Sequence, residues 1–267
     1  MPVAPRYSFI MVEPLARLGE GTLFERFRHL AALGYGGVEL QLNHPTGVDL
    51  DRLERALADC GLVVPSFLTG EAYAAGLYLC SPDEQVRRAA VDRLVGYLPI
   101  VKRFGAIMVV GLMQGLLSDE PDVKAAGARI AGGLRQVAAA AEIAGVDVVI
   151  EPVNHLQVGF HNSVDEVLGL VARIGSPAVR PMVDTIHMNI EEASLTEPIR
   201  RCGKSLRHVH LCESHGGRLG TGRIDFPAVL ATLSDGGYGG WCSVKVYRQL
   251  AFADAAKTSI EFLRAIG

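Results

Sequence analysis

The sequence has few of the features that mark several large classes of protein. Its five cysteines are scattered without a C-x-x-C pair, which argues against a disulfide framework or a thiolate zinc site. The formal net charge is −3 and no long basic run occurs, so neither a nucleic acid nor an anionic membrane is expected as the main partner. No apolar run approaches a membrane span, and the N-terminus lacks a signal-peptide pattern. These absences favour a cytoplasmic protein that acts on a small molecule.

The pattern that is present is an alternation of short apolar runs with longer amphipathic segments. Eight strands are predicted, at 8–12, 37–42, 63–68, 106–112, 146–152, 179–185, 206–212 and 241–247. Helical patterns lie between them, for example at 23–33, 49–60, 82–104, 125–144, 164–174 and 226–235. Several of these helical patterns end at a glycine, as helix C-termini commonly do.

This strict alternation predicts a parallel sheet, and eight units in a chain of this length match a closed (β/α)8 TIM barrel. An open doubly wound sheet is the alternative, but no G-x-G-x-x-G follows a strand, so no nucleotide cofactor is expected. No linker rich in proline, glycine or serine divides the chain. Residues 1–267 are therefore predicted to form a single domain.

Barrel enzymes gather their chemistry at the C-terminal ends of the strands. The polar residues there are Glu39, Gln41, His44, Glu151, Asp184, His187, His208, His210, Glu213 and Lys245. Glu151 and Asp184 are the strongest candidates, because carboxylates next to V-V-I and P-M-V would be desolvated without a cation. His210 lies nearer the rim than His208, which is expected to be structural. A Glu, an Asp and a His on neighbouring strands would suit Mn²⁺, Mg²⁺, Co²⁺ or Zn²⁺.

Three segments resemble a known superfamily: I-E-P-V-N at 150–154, M-V-D-T-I-H-M-N-I-E-E at 182–192, and H-V-H-L-C-E-S with G-T-G-R-I-D-F at 208–226. They are similar to the xylose-isomerase-like sugar isomerases and epimerases, most of all to ketose 3-epimerases of the D-tagatose/D-psicose type. Hydroxypyruvate isomerases and inosose dehydratases are more distant relatives. The resemblance implies metal-assisted proton abstraction next to the carbonyl of a carbohydrate, in a homo-oligomer that is a dimer or tetramer.

In that family a divalent metal, commonly Mn²⁺, is held by a Glu, an Asp, a His and a second Glu. By resemblance, the first three are Glu151, Asp184 and His210, but the fourth position is Lys245 here. The two family glutamates also act as the acid/base pair. The resemblance therefore implies that Glu151 and Lys245 are the catalytic residues.

The resemblance also implies residues that contact the substrate. A family glutamate six positions after the first ligand is Gln157 here, which can bind a hydroxyl but cannot act as a base. His187 keeps the family histidine that follows the Asp, and Arg218 is the nearest equivalent of a family arginine. Glu39 is also expected to contact the substrate, with a cap or a salt bridge as the alternative. The Gly-rich loop at 216–223 would either cradle a phosphate or lie free on the surface.

Lys245 leaves four interpretations open. In the first, three ligands hold the metal, and the amine with a depressed pKa serves as general base or acid. In the second, the ammonium replaces the metal and pairs with Glu151 and Asp184. In the third, the lysine forms a Schiff base with a carbonyl substrate. In the fourth, its side chain extends past the rim into water.

Three other functions also remain open. A lyase or dehydratase on a keto-sugar or inosose would use the same proton abstraction. A non-catalytic sugar-binding protein would explain the loss of the second acid/base glutamate. An endonuclease of this fold would need more metal ligands and a basic groove, which the acidic chain does not offer.

Overall fold

Eight parallel strands close into a barrel in sequential order in a computed structural model that describes residues 5–13, 15, 19–248 and 250–267. The strands are β1 (Arg6–Ile10), β2 (Gly37–Gln41), β3 (Ser66–Leu68), β4 (Ile107–Val110), β5 (Val148–Ile150), β6 (Val179–Asp184), β7 (His208–Cys212) and β8 (Trp241–Lys245). Each predicted strand overlaps one of these strands. The predicted TIM barrel is therefore confirmed.

Helices occupy the connections between the strands. They are α1 (Glu20–Leu33), α2 (Leu50–Asp59), α3 (Glu71–Ala74), α4 (Glu84–Arg103), α5 (Val123–Ala144), α6 (Val164–Ile174), α7 (Thr185–Glu191), α8 (Glu197–Cys202), α9 (Phe226–Asp235) and α10 (Phe252–Ile266). The six predicted helices are confirmed. Of the helices outside that set, α3, α7 and α8 have only four to seven residues, too few for an amphipathic period to show in the sequence.

Polar side chains and glycines set the helix ends. Asp83 and Asp122 precede α4 and α5, and each accepts hydrogen bonds from backbone N–H groups of the first turn. Gly34 and Gly145 end α1 and α5 with φ of 84° and 69°, a left-handed conformation that glycine adopts without steric cost. The predicted glycine ends are confirmed at these positions.

The barrel interior has an apolar part and a polar part. Ile107, Val109, Val149 and Met182 form a small cluster inside it, separate from the large core that includes the helix faces. On the side of β1, β2, β7 and β8 the interior holds buried polar side chains instead, namely Ser8, Glu39, His208, His210 and Ser243. This polar part lies directly below the C-terminal mouth.

Three expectations from composition bear on the described residues. All five cysteines lie within them and are free thiols. None of the helices described is both long enough and apolar enough to span a bilayer. The signal-peptide expectation rests partly on residues 1–4, which lie outside the described residues.

Candidate active site

The strand register brings the predicted residues together at the C-terminal end of the barrel. Asp184 at the end of β6 pairs with His210 on β7, and Cys212 pairs with Lys245 at the end of β8. Glu151 follows β5 directly, and its N–H still donates to the carbonyl of Val110 at 3.0 Å. Because alternate residues of a strand face the same side, His210 and Lys245 both point into the barrel mouth.

Five polar side chains meet at the mouth. Nδ1 of His210 lies 3.2 Å from Oε1 of Glu151 and 3.5 Å from Oδ2 of Asp184. Nζ of Lys245 lies 2.8 Å from Oδ2 of Asp184 and 3.7 Å from Oε1 of Glu151. Nε2 of His187 lies 3.7 Å from the same two carboxylate oxygens. The structure thus brings together all the residues predicted to bind metal or to catalyse, with His187 beside them.

A cavity of about 170 Å³ opens onto this cluster. Glu151, His187, His210 and Lys245 of the cluster line it, and so does Gln157, the predicted substrate contact. Its other walls are Ile10, Val12, Gln41, Leu68, Thr69, Gly70, Val109, Gly111, Leu112 and Val153. Binding cavities for drug-sized molecules measure about 300–1,000 Å³, so this cavity suits a smaller ligand.

Glu39, which was predicted to contact the substrate, is not among the residues that line the cavity. Its side chain is fully buried, and its carboxylate accepts hydrogen bonds from His208 at 2.5 Å, from His210 at 3.1 Å and from the Ser243 hydroxyl. Burial alone would raise the pKa of Glu39, but the charges and hydrogen bonds of the two histidines lower it instead. Glu39 therefore stays ionised beneath the site and holds the rings of His208 and His210.

The donor atoms above Glu39 fit a divalent cation. An ionised carboxylate only accepts hydrogen bonds, so Nε2 of His210 must carry a proton toward Glu39. When the ring is neutral, Nδ1 therefore bears a lone pair. That lone pair faces carboxylate oxygens of Glu151 and Asp184. The Nδ1 lone pair and the two carboxylate oxygens are three acceptors that converge, so they need a cation between them, either a proton or a metal ion. A carboxylate behind the far nitrogen is also the usual partner of a metal-bound histidine.

Without a bound metal, the charges of the cluster balance through Lys245 and His210. Burial would lower the pKa of Lys245, but the carboxylates of Asp184 and Glu151 outweigh it and raise the pKa above its ordinary value. Burial would likewise lower the pKa of His210, but Glu39 and the other acceptors raise it. The pKa of Glu151 and that of Asp184 are held below their ordinary values despite burial, chiefly by Lys245. Both carboxylates are therefore ionised at neutral pH.

The depressed pKa was predicted for Lys245 beside a bound metal and stays a prediction; the two carboxylates by themselves raise the pKa and keep the amine charged. A charged ammonium can donate a proton but cannot attack a carbonyl, which argues against a Schiff base. The side chain is 21% exposed and turns to Asp184, so it does not extend past the rim into water. Two interpretations remain: Lys245 acts as an acid beside a metal, or its ammonium takes the place of the metal.

The loop after β7 is built around a different carboxylate. Glu213 is buried and accepts hydrogen bonds from the backbone N–H groups of Ser214 at 2.8 Å, Gly220 at 3.0 Å and Ile224 at 3.2 Å. Within residues 216–223, the N–H groups of Gly216, Gly217, Gly220 and Arg223 all donate to acceptors of the loop itself, so these four are not free to form the phosphate cradle considered for this segment. Arg218 is exposed on this loop and is not among the residues that line the cavity.

Two residues of the site were absent from the sequence prediction. Asn154 is 2% exposed and lies 2.7 Å from Nδ1 of His187. Ser243 bonds Glu39 inside the barrel. Both had a signal: Asn154 lies in the I-E-P-V-N segment, and Ser243 is two positions before Lys245 and shares its face of the strand.

Gly111, at the end of β4, leaves the space that Glu151 needs. A Cβ at this position would lie 2.7 Å from Oε2 of Glu151 and 2.9 Å from the side chain of Val153. Gly111→Ala is expected to displace the carboxylate and lower kcat/KM by about 100-fold, since a shift near 1 Å has that effect in an active site. Gly132→Ala in α5 is the matched control, because nothing lies within 4 Å of its added Cβ. Equal rates for both variants would contradict this role of Gly111.

A closed parallel barrel with paired carboxylates, histidines and a lysine at its C-terminal mouth defines a TIM-barrel enzyme of the acid/base type. Comparison with known proteins agrees. The family described as xylose isomerase-like TIM barrel matches residues 27–266. L-ribulose 3-epimerase of Mesorhizobium japonicum is 32% identical over 212 residues, 77% of this chain and 69% of the relative.

Two further comparisons point the same way. Ketose 3-epimerase of Arthrobacter globiformis is 30% identical over 209 residues, 78% of this chain and 71% of the relative. A solved L-ribulose 3-epimerase superposes with a TM-score of 0.85 at 26% identity, covering 98% of this chain and 94% of that chain. The chain belongs to the xylose isomerase-like TIM barrel family. The resemblance to ketose 3-epimerases predicted from its motifs is confirmed.

Proposed function

We propose that the protein is a sugar isomerase or epimerase that moves a proton at a carbon next to a carbonyl. The observation that carries the proposal is the convergence of Glu151, His210 and Lys245 in one cavity, with Asp184 buried against them, in a chain whose relatives are ketose 3-epimerases. The proposed substrate is a small unphosphorylated ketose or keto-sugar, and residues 1–267 act as one domain. A homo-oligomer in the cytoplasm remains a prediction.

The side chains of the site divide the work. Glu151 is an ionised carboxylate that lines the cavity, so it can accept the proton from carbon. Lys245 is charged and can return a proton to the opposite side of that carbon. His187 donates a hydrogen bond to a substrate oxygen, and Gln157 binds a hydroxyl at the mouth.

Glu151, Asp184 and His210 would hold the metal, for which Mn²⁺ is the proposed ion. When bound, it polarises substrate oxygens and stabilises the negative charge that develops on them. Lys245 stands at the position where the resemblance places a fourth ligand, and its ammonium lies 2.8 Å from Oδ2 of Asp184. Three protein ligands with one position left open are typical of catalytic metal sites.

Deuterium wash-in tests the reaction, and metal removal tests the site. Incubation with a panel of ketoses, inososes and keto-sugars in heavy water is expected to place deuterium on one carbon of a substrate, seen by mass spectrometry. Removal of the metal with EDTA is expected to lower the exchange rate at least about 100-fold, with recovery on adding Mn²⁺. Metal analysis of protein purified without chelator is expected to find a divalent ion.

The outcomes separate the alternatives. Full activity in metal-free protein would show that the Lys245 ammonium has replaced the metal. Exchange accompanied by loss of water would identify a dehydratase. Binding by calorimetry without exchange across the whole panel would overturn the proposal in favour of a non-catalytic sugar-binding protein.

A further inference from the structure

His187 has two possible roles at the mouth, and the position of its ring proton decides between them. The side chain is 2% exposed at the start of α7. Its Nε2 faces oxygens of Glu151 and Asp184, each 3.7 Å away, and by position alone these three residues could hold a metal ion. A lone pair on Nε2 would make His187 a ligand, whereas a proton there would make it a hydrogen-bond donor.

The contacts of Asn154 fix which nitrogen carries the proton. Its Oδ1 accepts a hydrogen bond from the N–H of Leu156 at 3.1 Å, so its amide nitrogen must point the other way. That nitrogen lies 2.7 Å from Nδ1 of His187. An amide NH₂ group only donates, so Nδ1 must accept and the ring proton resides on Nε2. If the amide were flipped, its NH₂ group would face the N–H of Leu156, and two donors would oppose each other.

The two histidines of the site are therefore held in opposite forms. Glu39 fixes a proton of His210 on its inner nitrogen, so only the nitrogen that faces the carboxylates can supply a lone pair to a metal. Asn154 fixes the proton of His187 on the nitrogen that faces the cavity. We propose that Asn154 is a positioning residue that keeps His187 a hydrogen-bond donor to a substrate oxygen and excludes it from the metal ligands. The substrate part of this inference rests on the proposed function.

Asn154→Asp keeps the volume of the side chain but reverses which ring nitrogen of His187 must carry the proton. The aspartate still accepts from Leu156, but its second oxygen now demands a proton on Nδ1. Nitrogen-15 NMR of histidine-labelled protein reads the form of the ring directly, with His187→Gln assigning the signal. Metal-free and Mg²⁺-loaded wild-type protein are expected to show a protonated Nε2 and a bare Nδ1. The aspartate variant is expected to show a protonated Nδ1.

Activity supplies a second measurement. Asn154→Asp is expected to lower kcat by about 10- to 100-fold with a smaller change in KM. Asn154→Ala lets the His187 ring carry its proton on either nitrogen, so it is expected to lower kcat by less. A purely structural role would instead make alanine at least as harmful, because alanine leaves a void. Asn162→Asp is the control in the same loop: Asn162 donates to the carbonyls of Val153 and Val158, so its loss disturbs the loop but not the His187 ring.

Two results would overturn the inference: a protonated Nδ1 on His187 in the wild-type protein, or an unchanged ring signal in Asn154→Asp. Either is read in the resting protein and needs no substrate. If the ring signals agree and no carbohydrate exchanges deuterium, the proposed function fails while the role of Asn154 in setting the ring form stands.

Discussion

Glu151→Gln is expected to abolish deuterium exchange into every substrate of the wild-type protein, with a fall of at least about 10³-fold. Glu151 is 8% exposed, ionised and in contact with the cavity, so it is the base best placed to take a proton from carbon. Glutamine has the same shape but cannot accept that proton. Exchange measured by mass spectrometry in heavy water checks the result.

The variant is expected to fold, because no buried cation loses its last partner. Lys245 keeps Asp184 at 2.8 Å, and His210 keeps Glu39 at 3.1 Å. Glu166→Gln is the matched control: Glu166 is an exposed carboxylate in the cap of α6, and its loss is expected to leave exchange unchanged. Exchange by Glu151→Gln within tenfold of wild type would rule out Glu151 as the base.

The sequence was sufficient to predict the barrel and the acidic part of the site. Short apolar runs in strict alternation with helices admit few architectures. Glu151 and Asp184 stood out because each ends an apolar strand, where a carboxylate needs a cation. The structure shows the cation beside them as Lys245, held against Asp184.

The sequence did not show which polar residues meet across the barrel. Glu39 and His208 are 169 positions apart, and no pattern in the chain indicates that they touch. Glu39 therefore looked like a rim residue, although it lies below the site. The inward-pointing amides around Glu213 could not be predicted for the same reason, since side-chain partners of loop backbone depend on folded geometry.

Lys245→Ala is expected to separate proton exchange from net conversion. Lys245 ends β8 and Glu151 follows β5, three strands apart around the barrel, and both side chains line the cavity. If Glu151 removes the proton and Lys245 returns it on the other side, Glu151 alone can still exchange deuterium into unchanged substrate. Net conversion to product is expected to fall about 10²- to 10⁴-fold, while wash-in persists.

Lys245→Arg distinguishes proton transfer from charge. A guanidinium keeps the positive charge beside Asp184, but it does not give up its proton in proteins. The arginine variant is therefore expected to fold and to bind substrate, and to lose conversion as the alanine variant does. Both rates are measured together by mass spectrometry and chromatography of one reaction in heavy water.

Two results would contradict this role of Lys245. Conversion retained by Lys245→Arg would show that the lysine supplies only charge to the pair with Asp184. Equal loss of exchange and conversion in Lys245→Ala would place Lys245 on the same step as Glu151. Asp184 is fully buried, but in Lys245→Ala it keeps the N–H of Ile186 at 3.0 Å and Nδ1 of His210 at 3.5 Å, and a bound metal would supply a further positive partner. Loss of activity in metal-loaded Lys245→Ala therefore reports on proton transfer, provided that its thermal unfolding stays close to that of Lys245→Arg.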